Sequence, residues 1–217
     1  MIKERILELK KELPTGVRLL AVSKFHPVEY LQEAYDAGQR IFGESRVQEL
    51  QQKYEELPRD IEWHFIGHLQ TNKVKYIAPF VSLIHSLDSL ELLKEIDKQA
   101  KKCGRVVEAL LEIHVAQEET KYGFSFDSAR ELLESGLLND YPNVSVVGIM
   151  GMASFTDDLQ QVRREFASLG AFYRAMRSGV APQFRELSMG MSGDYTIAIE
   201  EGSTIVRLGT TIFGERV

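Results

Sequence analysis

Apolar residues along this chain fall into two alternating rhythms. Nearly continuous apolar runs occur at VRLLAVSKF (17–25), RIFGES (40–45), EWHFIG (62–67), SLIHSL (82–87), VEALLEIHV (107–115), VSVVGIMGMAS (144–154), FRELSMGMS (184–192) and TIVRLGTTIFG (204–214). Runs of this length read as strands, and those apolar on both faces belong to a parallel sheet covered by helices. Between them, VEYLQEAYDAG (28–38), SLELLKEIDKQAKKCG (89–104) and DDLQQVRREFASLGAFYRAMRSG (157–179) repeat apolar positions every three or four residues. That is the period of an amphipathic helix. Gly38, Gly104 and Gly179 stand where a helix end takes a left-handed residue. Ahead of the first run, MIKERILELKKEL carries Ile2, Ile6, Leu7 and Leu9 as the apolar stripe of one further helix.

Eight strands alternating with helices fit two α/β architectures, an open doubly wound sheet and a closed (β/α)8 barrel of the TIM type. The count of eight favours the barrel, as a single domain over 1–217 with an extra N-terminal helix. Barrels of this kind usually need about 250 residues. A chain of 217 residues therefore implies short loops. The length suffices for a full core, and a single cysteine, Cys103, excludes an internal disulfide and fits a reducing compartment. The net charge of −6 argues against a partner recognised through its phosphate backbone, so no nucleic acid is expected. No run is long and apolar enough for a signal core or a bilayer span, so no membrane association is expected and a cytoplasmic location is.

In a barrel the chemistry gathers at the C-terminal ends of the strands. After the first run comes Ser23-Lys24-Phe25. An ammonium at an otherwise apolar strand end is costly to bury alone. It reads either as a lysine that snorkels or pairs with Glu44, or as an amine whose lowered pKa makes it nucleophilic toward a carbonyl. The seventh run closes on Ser188-Met189-Gly190-Met191-Ser192-Gly193-Asp194, and the eighth contains Arg207-Leu208-Gly209-Thr210-Thr211. Glycines beside hydroxyls at these two strand ends are the usual makings of a barrel phosphate site; ordinary N-capping and turn glycines would leave the same residues. Lysine and phosphate cradle together suggest a phosphorylated carbonyl ligand, either pyridoxal 5′-phosphate (PLP) or the sugar phosphate of a Schiff-base aldolase.

Other groups weigh less. His64 and His68 are four apart, but on a strand-to-loop segment that spacing does not gather them on one face, so they read as structural and no metal site is expected. His85 and His114 lie late in their strands and either flank a planar ring or fill the core. Cys103 has no histidine partner near it in sequence, which disfavours a catalytic thiol. Neither a dinucleotide fingerprint nor a P-loop is present.

The chain resembles the small pyridoxal phosphate homeostasis proteins (YggS/PROSC family). The resemblance is carried by LLAVSKFHP around Lys24, FGESRVQE (42–49), WHFIGHLQTNKVK (63–75), HSLDS (85–89), KYGF (121–124), GIMGMASF (148–155) and ELSMGMSGDYTIAIEEGSTIVRLGTTIFGER (186–216). It implies the fold-type III barrel of alanine racemase, with Lys24 holding PLP as a Schiff base. It also implies that Ser188, Ser192, Gly209 and Thr210 surround the phosphate and that Arg207 faces the pyridine nitrogen. A guanidinium there donates without readily giving up a proton, so the ring stays a poor electron sink. Ser45 stands where the family commonly has asparagine, and Lys121 where an arginine would grip a carboxylate. Alanine racemase adds a C-terminal β-domain whose tyrosine opposes the lysine, and this chain closes at Val217, soon after strand 8. The expectation is a monomeric cofactor carrier or reservoir in PLP homeostasis, with little or no racemase activity. Apo PLP-dependent enzymes and small amines or amino acids would be its partners, and a PLP-dependent racemase or lyase is the rival reading.

Overall fold

A computed structural model describes residues 1–115 and 122–215. Eight parallel strands close into a barrel in sequence order: β1 (Arg18–Val22), β2 (Ile41–Glu44), β3 (Glu62–Phe65), β4 (Leu83–Leu87), β5 (Val107–Ile113), β6 (Val144–Gly151), β7 (Glu186–Ser188) and β8 (Ile205–Leu208). The last strand pairs with the first, with Leu20 opposite Arg207 and Ala21 opposite Leu208. The expected α/β barrel is the observed one.

Helices follow every strand. They are α2 (Val28–Asp36), α3 (Val47–Glu56), α4 (Val74–Ile77), α5 (Leu90–Lys102), α6 (Phe126–Glu134), α7 (Leu159–Ser178), α8 (Tyr195–Glu200) and α9 (Thr210–Phe213), with α1 (Ile2–Glu12) ahead of β1. Ile2, Ile6 and Leu9 of α1 are buried, while Leu7 is turned out to solvent. This helix packs against α2 and α9, and Arg5 donates from its guanidinium to the Ile212 carbonyl at 3.0 Å. Gly38 and Gly104 do adopt positive φ, at 86° and 63°. Gly179 does not, because α7 ends with φ −112° and needs no left-handed residue.

Alternation along each strand separates two cores. Leu19, Ala21, Phe42, Trp63 and Phe65 face the helices. Leu20, Leu83, Leu110, Val147, Met150 and Ile205 fill the lumen. At the N-terminal end of the lumen, Arg18 pairs with Glu186 at 2.7 Å and approaches Glu62 at 3.8 Å. The lumen is therefore a packed core with a charged floor, and only its C-terminal mouth is left for chemistry.

The sequence runs overestimate the strands at their C-terminal ends. β1 stops at Val22, so Lys24 belongs to a turn beyond it; TTIF in the eighth run is the short helix α9. Hydroxyls and glycines at the mouth bend the chain where apolarity alone would extend it.

Gly148 is fixed by contact. A Cβ there would lie 1.8 Å from the Glu186 carbonyl oxygen, across the β6–β7 ladder. Overpacking inside a ladder forces the backbones apart. Gly148→Ala should therefore cost about 3 kcal/mol or more, read by urea denaturation. An unmoved midpoint would show that β6 and β7 tolerate the added methyl.

Candidate functional site

Leu20 and Val22 point into the lumen, and Lys24 is the next residue of that parity. It is half-buried, in a turn over residues 23–26 closed by the His26 N–H on the Ser23 carbonyl at 3.1 Å. Phe25 in that turn has φ 68°, the left-handed region that a bulky residue rarely enters. The strand ladder next door brings the β8 turn alongside. A Cβ on Gly209 would sit 3.3 Å from the Val22 carbonyl oxygen, so only glycine allows this approach without displacement. The His26 ring lies 4.9 Å from that of Phe213. The turns carrying Lys24 and Thr210 thus form one wall of the mouth.

The loop after β7 joins the same wall. The Ser192 hydroxyl accepts from the Thr211 N–H at 3.4 Å. Gly190 has φ 95° and packs where a Cβ would strike Ala198. Asp194 accepts from the Met191 N–H at 2.6 Å, and burial raises its carboxyl above the usual carboxylate range. Ser192, Gly209 and Thr210 are thereby brought together, as the sequence suggests.

Ser188 belongs elsewhere. It is fully buried, and its hydroxyl lies 2.7 Å from Arg207 Nη1 and 3.0 Å from His85 Nδ1. The structure thus sets the Ser188 hydroxyl between Arg207 and His85. His85 Nε2 lies 3.0 Å from His64 Nδ1, so β3, β4, β7 and β8 are linked across the lumen. An arginine can only donate. Ser188, His85 and His64 thus form one buried polar chain that begins at the Arg207 donor.

This polar chain is dry. Burial drives His64 down to about 3, with the Arg18 charge adding to it. Burial, then His64, Arg207 and Arg18, hold His85 well below the usual histidine range. Both rings are neutral at pH 7. Burial also lowers Arg207 to about 10, with Asp194 and Glu112 acting in the opposite sense, so the guanidinium remains charged. It donates to the Ser188 carbonyl, the Ser188 hydroxyl and the Gly151 carbonyl, which leaves N–H protons to spare. Glu112, next to enter the lumen from β5, is raised to about 7 by burial, then by Asp88.

The remaining histidines part company. His68 is at the rim, bonded to Asp88 at 3.0 Å and stacked on Tyr122 at 3.8 Å. It does not meet His64, and no group of three metal-ligating side chains occurs among the described residues. His114 is half-buried beyond β5, with its N–H on the Phe124 carbonyl. Ser45 packs by its backbone against Gly67, where a Cβ would lie 2.4 Å from the Ser45 carbonyl oxygen. Lys121 lies outside the described residues. Cys103 is exposed at the end of α5. No helix among the described residues is long and apolar enough to cross a membrane.

Sequence reasoning missed Lys53, which is buried on α3 and bonded to Glu44, Glu49 and the Ser23 carbonyl. Its signal was the three-residue spacing Val47, Leu50, Lys53, which puts a lysine on a core-facing stripe.

Comparison with known proteins places this geometry. The family described as "Alanine racemase, N-terminal domain" matches residues 1–217. A pyridoxal phosphate homeostasis protein of Aquifex aeolicus is 46% identical over 200 residues, covering 92% of this chain and 87% of that one. PipY of Synechococcus elongatus, solved without PLP, superposes with a TM-score of 0.92 at 38% identity, covering 99% of this chain and 100% of its own. Its structure with PLP bound gives 0.88 at 37% identity and the same coverage. The alanine racemase of Clostridium difficile, at 15% identity and a TM-score of 0.83, shares the fold over 99% of this chain and 56% of its own.

The neutral histidines set a pH dependence. Below pH 6.5 an unfolded His64 takes up a proton that the folded one refuses, so its contribution to stability is lost as pH falls toward 3. Replacing His64 by glutamine removes that loss. The stability cost of His64→Gln should shrink by about 1.4 kcal/mol per pH unit between 6.5 and 4.5, measured by urea titrations across that range. A cost independent of pH would mean that His64 titrates normally.

Proposed function

The chain belongs to the pyridoxal phosphate homeostasis protein family, within the alanine racemase N-terminal domain group, and from that premise we propose that it binds PLP reversibly and serves intracellular PLP homeostasis. The observation that carries the reading is the meeting, at one barrel mouth, of the Lys24 turn and the Gly209–Thr210 turn above a buried Arg207. The PLP-bound PipY, alike over nearly the whole chain, supports it.

The residues present fit the cofactor. Gly209 admits close backbone approach, and Ser192 and Thr210 bring hydroxyls to the same edge. Arg207 keeps unspent N–H protons for an acceptor such as a pyridine nitrogen. When bound, PLP supplies an aldehyde that exchanges among amines and a ring able to withdraw electrons. Lys24 supplies the amine that condenses with that aldehyde as a Schiff base, with loss of water. Ser192, Gly209 and Thr210 take the phosphate. Arg207 holds its charge toward the ring without delivering a proton, because a guanidinium at about 10 keeps its proton at neutral pH. The chain's own chemistry thus favours holding the cofactor over activating a substrate carbon.

On this reading residues 1–217 act as one domain, a cytoplasmic monomer with little or no racemase activity. Its partners are small amines or amino acids, which release the cofactor by exchange, and apo PLP-dependent enzymes, which receive it. A second reading, a PLP-dependent racemase or lyase, draws on Glu112, a lumen carboxyl raised to about 7 and so able to exchange protons at neutral pH. Deuterium exchange at Cα of amino acids, at enzyme-like rates and lost in Lys24→Ala, would favour the second.

Borohydride reduction and mass spectrometry should find a pyridoxyl group on Lys24, and none in a folded Lys24→Ala protein. An adduct absent from the wild type refutes the proposal. Replacing Ser192 by alanine and Thr210 by valine removes two hydroxyls, each charge-assisted bond contributing about 1.5–3 kcal/mol. PLP affinity, measured by equilibrium dialysis, should weaken by about a hundredfold or more. Unchanged retention would put the phosphate elsewhere.

A further inference from the structure

The turn that carries Lys24 takes an uncommon geometry. Its third residue, Phe25, lies at φ 68°, where turns ordinarily place glycine or asparagine. A buried cluster from the neighbouring β2–α3 unit meets it. Lys53 Nζ donates to the Ser23 carbonyl at 2.7 Å, to Glu44 Oε1 at 2.8 Å and to Glu49 Oε1 at 2.7 Å. The Ser23 hydroxyl donates to Glu44 Oε1 at 2.6 Å, and the Phe25 N–H donates to Glu49 Oε1 at 2.6 Å. The Arg46 guanidinium covers the Phe25 ring at 4.6 Å.

Each contact bears on the turn. The Ser23 carbonyl that Lys53 holds is the same one that closes the turn to the His26 N–H. Glu49 reaches both Lys53 and the amide of the strained residue with one oxygen. Lys53 uses all three of its N–H protons here, and Glu44 is fully buried. A salt-linked cluster so costly to desolvate is poor value as a source of stability. Its bonds converge on the residues before and after Lys24.

We propose that Lys53, with Glu44 and Glu49, is a positioning device that forces the Ser23–His26 turn into its left-handed geometry and so aims the Lys24 amine into the barrel mouth. The aim rests on the PLP reading; the geometry of the turn does not. Lys53 touches no reacting atom in this scheme and acts through the turn alone.

The test uses the purified full chain. In Lys53→Met, hydrogen exchange at the Phe25 amide should accelerate at least tenfold while the amides of β1 keep their protection. Trace acetylation of Lys24, referred to Lys98 as an internal standard, should change several-fold in the absence of any cofactor. The rate of Lys24 pyridoxylation, trapped with borohydride after PLP addition, should fall at least tenfold. Glycine accepts φ 68° without a side-chain penalty. Adding Phe25→Gly should therefore restore Lys24 acetylation and pyridoxylation in the Lys53→Met background, a rescue that a loss of bulk stability would not show. Should Lys53→Met fail to fold, Glu49→Ala removes the acceptor of the Phe25 amide, leaves the Lys53–Glu44 pair, and should give the same three changes. Unaltered exchange and acetylation in the variant that folds overturn the proposal, as does a Phe25→Gly double variant that stays slow. A wild type whose Lys24 never forms an adduct sinks the PLP reading instead, and the two cofactor-free measurements still judge the turn.

Discussion

The ladder between β1 and β8 joins residues almost a chain length apart, with Leu20 opposite Arg207 and Ala21 opposite Leu208. Everything at the mouth follows from that pairing. It sets Val22 against Gly209, where an added Cβ would crowd the Val22 carbonyl oxygen, and so places the Lys24 turn beside the Thr210 turn. It also carries Arg207 into the lumen, beyond the reach of water and of any bonded carboxylate among the described residues. A guanidinium in that position must be satisfied by oxygens alone, and β6 and β7 supply them as the Gly151 carbonyl and both oxygens of Ser188. Closure of the sheet is thus also construction of the site.

Much of this was legible because barrel alternation is strict. Eight apolar runs gave the strand count, and residues just past the runs marked the mouth. The apolar runs extend past the strand ends because apolarity does not register a turn; Lys24 lies in a turn beyond β1, and Thr210 opens α9 after Gly209. Residue type was also a poor guide to depth. Ser188 and Ser192 look alike in SMGMS, yet one ends a strand facing the lumen and the other sits in the loop beyond. Only the strand boundary separates their roles. His85 offered a choice between flanking a ring and filling the core, and its neighbours resolve it as a link in the buried chain to Arg207. Lys53 escapes a reading of the sequence because its partners come from the turn after β1, from β2 and from its own helix, a conjunction no single stretch of sequence displays.

The lumen combines polar groups in a way that restrains chemistry. A cation sits at its upper end, and a line of neutral groups, Ser188, His85 and His64, runs from it. Preorganisation of this kind usually speeds a reaction; here it stabilises one charge state of one group.

Two pairs of buried groups set the proton inventory of folding in opposite senses. Glu44 and Glu112, each raised to about 7, hold protons in the folded protein that the unfolded chain has released above pH 4.5. His64 and His85 refuse protons that the unfolded chain has accepted below pH 6.5. Between those limits the two uptakes and two refusals balance, so for these four groups folding exchanges no net proton with solvent. Mild acidification thus acts on stability in opposite senses through the buried carboxyls and the buried histidines, where either pair alone would tilt it.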